Sequence, residues 1–458
     1  MEYNTIVEAQ RAWFRTGQTL DVSFRIEQLK KLKSLIINHE EKIKEALFLD
    51  LAKPTFETLL AELDFVLHDL AYQISQVRRW AKPQKVKTPL LHFPASSYIY
   101  PEPYGCVLVI SPWNYPFQLA MAPLVGAIAA GNCVMLKPSE YSPATSRVLE
   151  EIINPNFDPG FMRVVQGGAE ETQALLQQRF DYIFFTGSTA VGKIIMKAAA
   201  EHLTPLTLEL GGKSPAIVDP SANLKVSARR IIWGKFFNAG QTCIAPDYLW
   251  VHESLKDQLA RELTAAIHSF FGDDPSQSED YGRIISKRHF DRLTSFIQPS
   301  QILCGGQTDE QTKYIAPTIL QNVGWHDPVM QEEIFGPLLP VLTYKNTSDV
   351  IAFLKQSEKP LAMYIFSKDK GFINTLLTQT SAGGVCINEP LSHITSKHLP
   401  FGGVGQSGMG SYHGYYSFTT FSHNKSVMQK TFFPDPGVKY PPYRKISPLI
   451  RRILKIIN

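Results

Sequence analysis

From residue 105 onward the chain alternates short apolar runs with amphipathic stretches, and this alternation constrains its fold more than any other feature. Strands are expected at 106–110, 133–136, 164–165 and 182–185, and helices at 146–153, 171–178 and 190–200. Short runs that are apolar throughout suit strands buried on both faces, so the pattern predicts a parallel sheet with helices on either side. A second alternating block follows residue 210, with strands near 216–218, 248–252, 338–344 and 363–366. Two α/β blocks with a cleft between them suit an enzyme that holds a cofactor and a substrate together.

The remaining segments read differently. Leu29, Leu32, Leu35 and Ile36, and later Leu63, Val66, Leu67, Leu70, Ile74 and Val77, recur at helical spacing, so residues 1–80 are expected to be helical, with a break at Lys53-Pro54. Residues 83–105 are rich in Pro, Tyr and Ser and read as an extended arm. At 458 residues the chain can form two or three domains, and 44% hydrophobic with 19% charged residues is ordinary for a soluble globular protein. A net charge of +4 is too small to imply a nucleic-acid partner. The five cysteines include no CxxC pair, which argues against a disulfide framework or a zinc site, leaves no metal expected, and points to a reducing, cytoplasmic compartment. No apolar core follows the N-terminus, so no signal peptide is expected. The apolar run 119–130 falls short of the roughly 20 residues that a membrane span needs, and reads as a buried helix.

Seven short motifs carry chemistry. Gly240-Gln241-Thr242-Cys243-Ile244-Ala245-Pro246 places Cys243 on a tight connection between a helix-like segment, 225–237, and a strand, 248–252. Such a nucleophile needs a favoured thiolate, a stabilised oxyanion and a group that completes the reaction. In Leu208-Glu209-Leu210-Gly211-Gly212-Lys213, the flanking leucines predict partial burial of Glu209, which raises a carboxylate's pKa and makes it a usable base; a structural carboxylate accepting backbone N–H bonds is the alternative. Asn114, in Ser111-Pro112-Trp113-Asn114-Tyr115-Pro116, stands just past a strand, either as an oxyanion donor or as a turn cap. Tyr182 to Thr186 leads into Gly187-Ser188-Thr189-Ala190-Val191-Gly192, a strand, small-residue turn and helix start able to hold a pyrophosphate, or else a simple tight turn. Lys137-Pro138-Ser139-Glu140 ends a strand where ribose hydroxyls could be gripped, or forms a surface ion pair. Glu332-Glu333-Ile334-Phe335-Gly336-Pro337 and the glycine-rich stretch 400–410 complete the set.

Together, and in this order, these motifs resemble the NAD(P)-dependent aldehyde dehydrogenase superfamily over about residues 5–430, and most of all its class 3 group, through Ile244-Ala245-Pro246-Asp247-Tyr248 and Ser411-Tyr412-His413-Gly414. The resemblance implies an α/β fold: a Rossmann-like cofactor domain (1–82 and 104–208), a catalytic domain (209–391), a β-rich bridging and oligomerisation arm (83–103 and 392–430) and a tail (431–458). It implies Cys243 as nucleophile, Glu209 as general base, and Asn114 with the Cys243 N–H as oxyanion hole. Thr186, Gly187, Ser188 and Gly192 would lie at the pyrophosphate, Lys137 and Glu140 at the adenine ribose, and Glu333 and Phe335 at the nicotinamide ribose. The implied cofactor is NAD, with NADP admitted, and the implied assembly a homodimer. The expected reaction takes an aldehyde through a cysteine thiohemiacetal and thioester to the acid. A CoA-acylating dehydrogenase and a non-enzymatic protein of the same fold are the alternatives; Glu209 disfavours the first, and the presence of both Cys243 and Glu209 the second. Trp233, Tyr115, Phe401 and Tyr412 hint at medium- or long-chain or aromatic aldehydes, unless they belong to the core. In the tail, Ile446, Leu449, Ile450, Ile453, Leu454 and Ile457 would share one helix face opposite Arg451, Arg452 and Lys455. Such a helix could pack on protein or lie peripherally on an anionic membrane.

Overall fold

A computed structural model of the chain describes residues 3–435 and 440–442. The expected tail helix lies outside them. The first α/β block forms a six-stranded sheet in the order Gly408–Met409, Leu206–Glu209, Tyr182–Thr186, Cys106–Ile110, Cys133–Lys137, Met162–Val164, parallel except for the first strand. The second forms a seven-stranded sheet, Ile302–Cys304, Thr318–Leu320, Leu338–Tyr344, Tyr248–His252, Pro215–Val218, Ala362–Phe366, Gly384–Ile387, again parallel apart from its first strand. The central strands Cys106–Ile110, Cys133–Lys137 and Pro215–Val218 are buried at every residue, as continuous apolar runs require.

The Gln118–Ala130 helix, buried along its whole length, lies against the first sheet. Gly126 gives it close contact with a later helix, since a Cβ there would stand 2.7 Å from Ser417 Cβ. Among the described residues no helix is long and apolar enough to cross a membrane.

One detail departs from expectation. Gln84–Val86, Ala95–Pro103 and Ser422–Lys430 form the separate antiparallel sheet anticipated for an arm. Within 392–430, however, Gly408–Met409 pairs instead with Leu206–Glu209 and closes the edge of the first sheet. The chain then leaves that sheet at Glu209 and enters the other at Pro215, so residues 210–214 form the joint between the two layers.

The cofactor-facing turns are fixed from behind. The Pro143–Ile153 helix receives no cap from its own Ser142. Asp50, buried on the Glu40–Leu51 helix, takes that role, accepting from Ala144 N (3.0 Å), Thr145 N (2.8 Å) and Thr145 Oγ1 (2.7 Å). Its carboxylate replaces a local cap and meets the positive end of the helix. Asp50→Ala is expected to remove about 1–3 kcal/mol of stability, measured as a lower Tm; an unchanged Tm would contradict the capping role.

Candidate active site

The approach to Cys243 is a strained turn. The Leu224–Phe236 helix ends, and Asn238 (φ 53°), Ala239 (φ 50°) and Gly240 (φ 74°) follow in the left-handed region. Two consecutive non-glycine residues there are costly and persist only where surroundings hold them. At Gly240 the cause is contact: a Cβ would lie 2.3 Å from Gly336 O. At Asn238 it is hydrogen bonding, since its N–H donates to Glu57 Oε2 (2.9 Å) and its Nδ2 to Asn114 O (2.8 Å) and Gln241 O (3.1 Å). Cys243 emerges from this turn half-buried, on the wall of an apolar cavity that Phe65, Tyr115, Trp233, Phe237 and Ile244 also line. Burial pushes its thiol pKa up, and the nearby Glu333 and Glu209 push it further; the backbone N–H groups of Cys243 and Ile244 act the other way. The resting thiol is therefore neutral.

Asn114 is buried beside this turn, with Nδ2 donating one hydrogen bond to Gln241 O (3.0 Å). An amide nitrogen carries two protons, so one remains for a ligand. Behind it sits a pair that the sequence did not reveal. Lys53 Nζ is paired with Glu62, both side chains fully buried, and donates to Asn114 O at 3.0 Å. Glu62 also accepts from Gln118 N (2.8 Å), and the Lys53 ammonium lies 4.1 Å over the Tyr115 ring. Glu62 belongs to a π-helical turn, Leu59–Leu63, whose Leu60 and Ala61 line the same cavity.

Glu209 ends its strand with a fully buried carboxylate, and neither of its oxygens has a hydrogen-bond partner among the described residues. A structural carboxylate held by backbone N–H groups is thus not what the fold contains. Burial alone raises its pKa well above the carboxylate range. A Cβ on Gly402 would sit 3.1 Å from Oε1, so the glycine-rich loop packs directly on this group.

Of the expected cofactor residues, Lys137 and Thr186 end strands of the first sheet, with Glu140 and the 187–192 turn just beyond them, whereas Glu333 and Phe335 precede the Leu338–Tyr344 strand of the second. Ser188 caps the Thr189–Ala200 helix, accepting from Val191 N, and Gly192 permits that helix to approach Leu210, which a Cβ would meet at 2.8 Å. Thr186 is buried with an unpartnered Oγ1. Lys137 Nζ donates to Pro138 O (2.9 Å) and lies 3.6 Å from Glu140; burial lowers its pKa. Glu333 presses on the Gly211 backbone, where a Cβ would fall 2.1 Å from its Oε2, and burial lifts its pKa to about 8. Phe335 (φ 51°) packs edge-on to Trp113 at 5.4 Å. A cleft of about 600 Å³ runs past Thr189, Gly211, Lys213, Glu333 and Gln406. A helix N-terminus, an orphan hydroxyl and glycine-lined backbone fit a dinucleotide.

Lys213 and Asp247, to which the sequence assigned no role, form a 2.5 Å ion pair; Lys213 also donates to Glu332 O (2.8 Å), and Asp247 accepts from Ile334 N (2.8 Å). They hold the Glu333 loop from both sides. Of the aromatic residues singled out, Tyr115 and Trp233 line the cavity above Cys243. Phe401 and Tyr412 do not: they are buried and joined by paired backbone hydrogen bonds (3.1 and 2.8 Å).

Comparison with known proteins now decides the family. The profile described as aldehyde dehydrogenase family matches residues 1–427. The chain belongs to the aldehyde dehydrogenase family. It is 50% identical over 447 residues to 4,4'-diaponeurosporen-aldehyde dehydrogenase of Staphylococcus aureus, covering 97% of each chain. It is 47% identical over 441 residues to the dimeric NADP-preferring aldehyde dehydrogenase of Rattus norvegicus, covering 96% of this chain and 97% of that one. Its structure matches the substrate-bound state of Staphylococcus aureus AldH with a TM-score of 0.96 at 48% identity, over 99% of both chains. It is an aldehyde dehydrogenase that oxidises aldehydes with NAD(P).

Removing one member of a buried ion pair strands the other's charge. Lys53→Met is therefore expected to cost about 3–5 kcal/mol and, by releasing Asn114, to lower kcat while cofactor affinity in a fluorescence titration stays near wild type. A variant with unchanged kcat would show that Asn114 is held without it.

Proposed function

We propose that this aldehyde dehydrogenase works through covalent catalysis at Cys243, with Glu209 as the base, on medium- or long-chain aliphatic or aromatic aldehydes. The observation that carries the reading is a thiol on the wall of an apolar cavity, close enough to a buried, unpartnered carboxylate for that group's charge to raise the thiol pKa.

The steps follow from what each group can do. The Cys243 sulfur attacks the aldehyde carbon while its proton passes to the ionised form of Glu209 and on to solvent, which frees the carboxylate for the later step. The new oxyanion is met by the free Nδ2 proton of Asn114 and the Cys243 N–H; losing one such donor typically costs about 3–4 kcal/mol. The bound nicotinamide ring supplies the acceptor for the hydride that leaves the same carbon. A thioester then remains on Cys243. Glu209, with no hydrogen bond to break, takes a proton from water as that water attacks the thioester, and the carboxylic acid departs. A CoA-acylating reaction would need no such base.

The cavity beside Cys243 measures about 140 Å³, close to the roughly 150 Å³ of an apolar cavity that holds benzene. It accommodates an aromatic aldehyde or the head of an alkyl chain. A homodimer is supported by the name of the Rattus norvegicus relative. NAD and NADP are both proposed as usable: Glu140 suits a free 2′-hydroxyl and Lys137 a 2′-phosphate.

Incubation with NAD and a panel of aldehydes tests the reading. NADH is expected to form without CoA, with higher kcat/KM for apolar long-chain or aromatic members than for acetaldehyde. Cys243→Ala is expected to form no NADH yet to bind the cofactor. CoA-dependent turnover, or turnover by Cys243→Ala, would overturn it.

The pH dependence has a definite sign. Burial that raises a carboxyl's pKa leaves more of it protonated at any given pH, and it acts as a base only in the fraction that has lost its proton. Steady-state kcat is therefore expected to climb from neutral to alkaline pH. In Glu209→Gln the climb should disappear from the hydrolytic step. A kcat already flat from pH about 6 upward would contradict a raised Glu209 pKa.

A further inference from the structure

The cavity beside Cys243 shares part of its lining with a neighbouring chamber. Leu60, Phe65, Ile394 and Thr395 line it and also line a second, roomier chamber of about 550 Å³. The lining changes character there. Asp64, His68, Asp69, Lys397, His398 and His413 replace the apolar side chains of the inner cavity. A site that met only alkyl chain would gain nothing from this.

Two buried atoms of the residues that line the chamber lack partners among the described residues. His413 is 3% exposed and its Nε2 makes no hydrogen bond. Asp69 holds its carboxyl near Gln73 Nε2 and Gly414 N, but its buried Oδ2 has no partner. A buried donor or acceptor left empty costs about 1–3 kcal/mol, so something polar should meet each of them. The His413 ring is fixed in place, stacked on Tyr412 at 4.0 Å and edge-on to Phe65 at 5.2 Å. Its backbone is held in the left-handed region (φ 77°), where a non-glycine residue marks a conformation imposed by its surroundings. Burial also keeps both groups close to neutral at working pH, lowering the imidazole pKa to about 3 and raising the Asp69 pKa to about 7. A neutral ring nitrogen and a half-protonated carboxyl suit a neutral oxygen function, which can donate to one and accept from the other.

We propose that the outer chamber receives the far end of a long substrate and recognises a hydroxyl or carbonyl oxygen there, so that the preferred aldehydes carry a second oxygen group at the opposite end of the chain. The inference rests on the reading of Cys243 as the reacting centre, because the chamber matters through the lining residues that it shares with that cavity. An aldehyde group at the near end is oxidised while the distal oxygen bridges Asp69 and His413. A distal carboxylate is less suited, because Asp64 and Asp69 face it as well as Lys397 and His398.

The test compares two homologous series with the full-length enzyme and NAD: straight-chain aldehydes ending in methyl, and the same chains ending in hydroxyl. Short members, which fill only the inner cavity, should show no preference. Beyond a threshold length the hydroxyl-ended member should have a kcat/KM about tenfold higher, the scale of one net hydrogen bond. Asp69→Asn and His413→Asn should each pull that ratio towards one. Hexanal turnover is recorded for each variant, so that a folding defect, which lowers both series together, is not mistaken for lost recognition. Carboxylate-ended chains form the third series and should fall below the hydroxyl-ended ones. A ratio near one at every length, unchanged in both variants, would mean the chamber holds water only and would overturn the proposal. A carboxylate preference would overturn the neutral-oxygen assignment. Failure of wild type to oxidise any aldehyde, hexanal included, would instead fault the reading of the Cys243 site.

Discussion

An ammonium group taken wholly out of water must be met by a carboxylate and by further acceptors, and at Lys53 this requirement organises the site. The partners available to it are Glu62 and the carbonyl of Asn114. Glu62 in turn binds Gln118 N, at the start of the buried Gln118–Ala130 helix. The Asn114 carbonyl also takes Asn238 Nδ2, which belongs to the turn that aims Cys243. Three stretches of chain distant in sequence, 53–62, 114–118 and the turn at 238, meet through one buried charge. The arrangement need not add stability over an apolar core, since desolvation offsets much of the attraction. What it provides is placement, because breaking any one contact leaves a charge or a carbonyl unmet.

A second electrostatic constraint acts in front of the first. Glu209, Glu333 and Cys243 are each raised in pKa by burial, and both carboxylates raise the thiol further. Like charges in a desolvated cluster do not all form at once, so the resting site holds protons that the reaction must move. That fits chemistry in which thiol and carboxyl lose their protons at different steps. Glu333 is kept at its post from outside the cluster, through the Lys213–Asp247 pair and the bonds it makes to residues 332 and 334.

Much of this was legible in the sequence. Strands 106–110 and 248–252 announce themselves because each is a run of apolar residues bounded by turn-forming ones, and the structure places both at those residues. Cys243, Glu209 and Asn114 stood out through short motifs, which survive because tight turns and close backbone approaches permit few residue types. Lys53, Glu57 and Glu62 left no such trace. Lys53 stood out only as part of a break between helices, and Glu57 and Glu62 only as members of a helical region; burial of a charge there depends on what arrives from residues 114 and 238, far away in sequence. Phe401 and Tyr412 failed for a related reason. An aromatic beside a motif can face the cavity or the core, and only the backbone pairing between the two fixes them in the core. The Gly408–Met409 strand was equally hidden, since two residues carry no periodicity; it forms because Gly408 tolerates a φ of 138° and lies where any Cβ would meet Leu208 O at 2.2 Å.

The division of labour between Cys243 and Glu209 is most directly tested by rapid mixing of Glu209→Gln with NAD and aldehyde. The account predicts a burst of NADH of at most one equivalent per active site, then a stall, with the acyl group found on the Cys243 peptide by mass spectrometry. Continued turnover at the wild-type rate, or an acyl group carried by another cysteine, would contradict it.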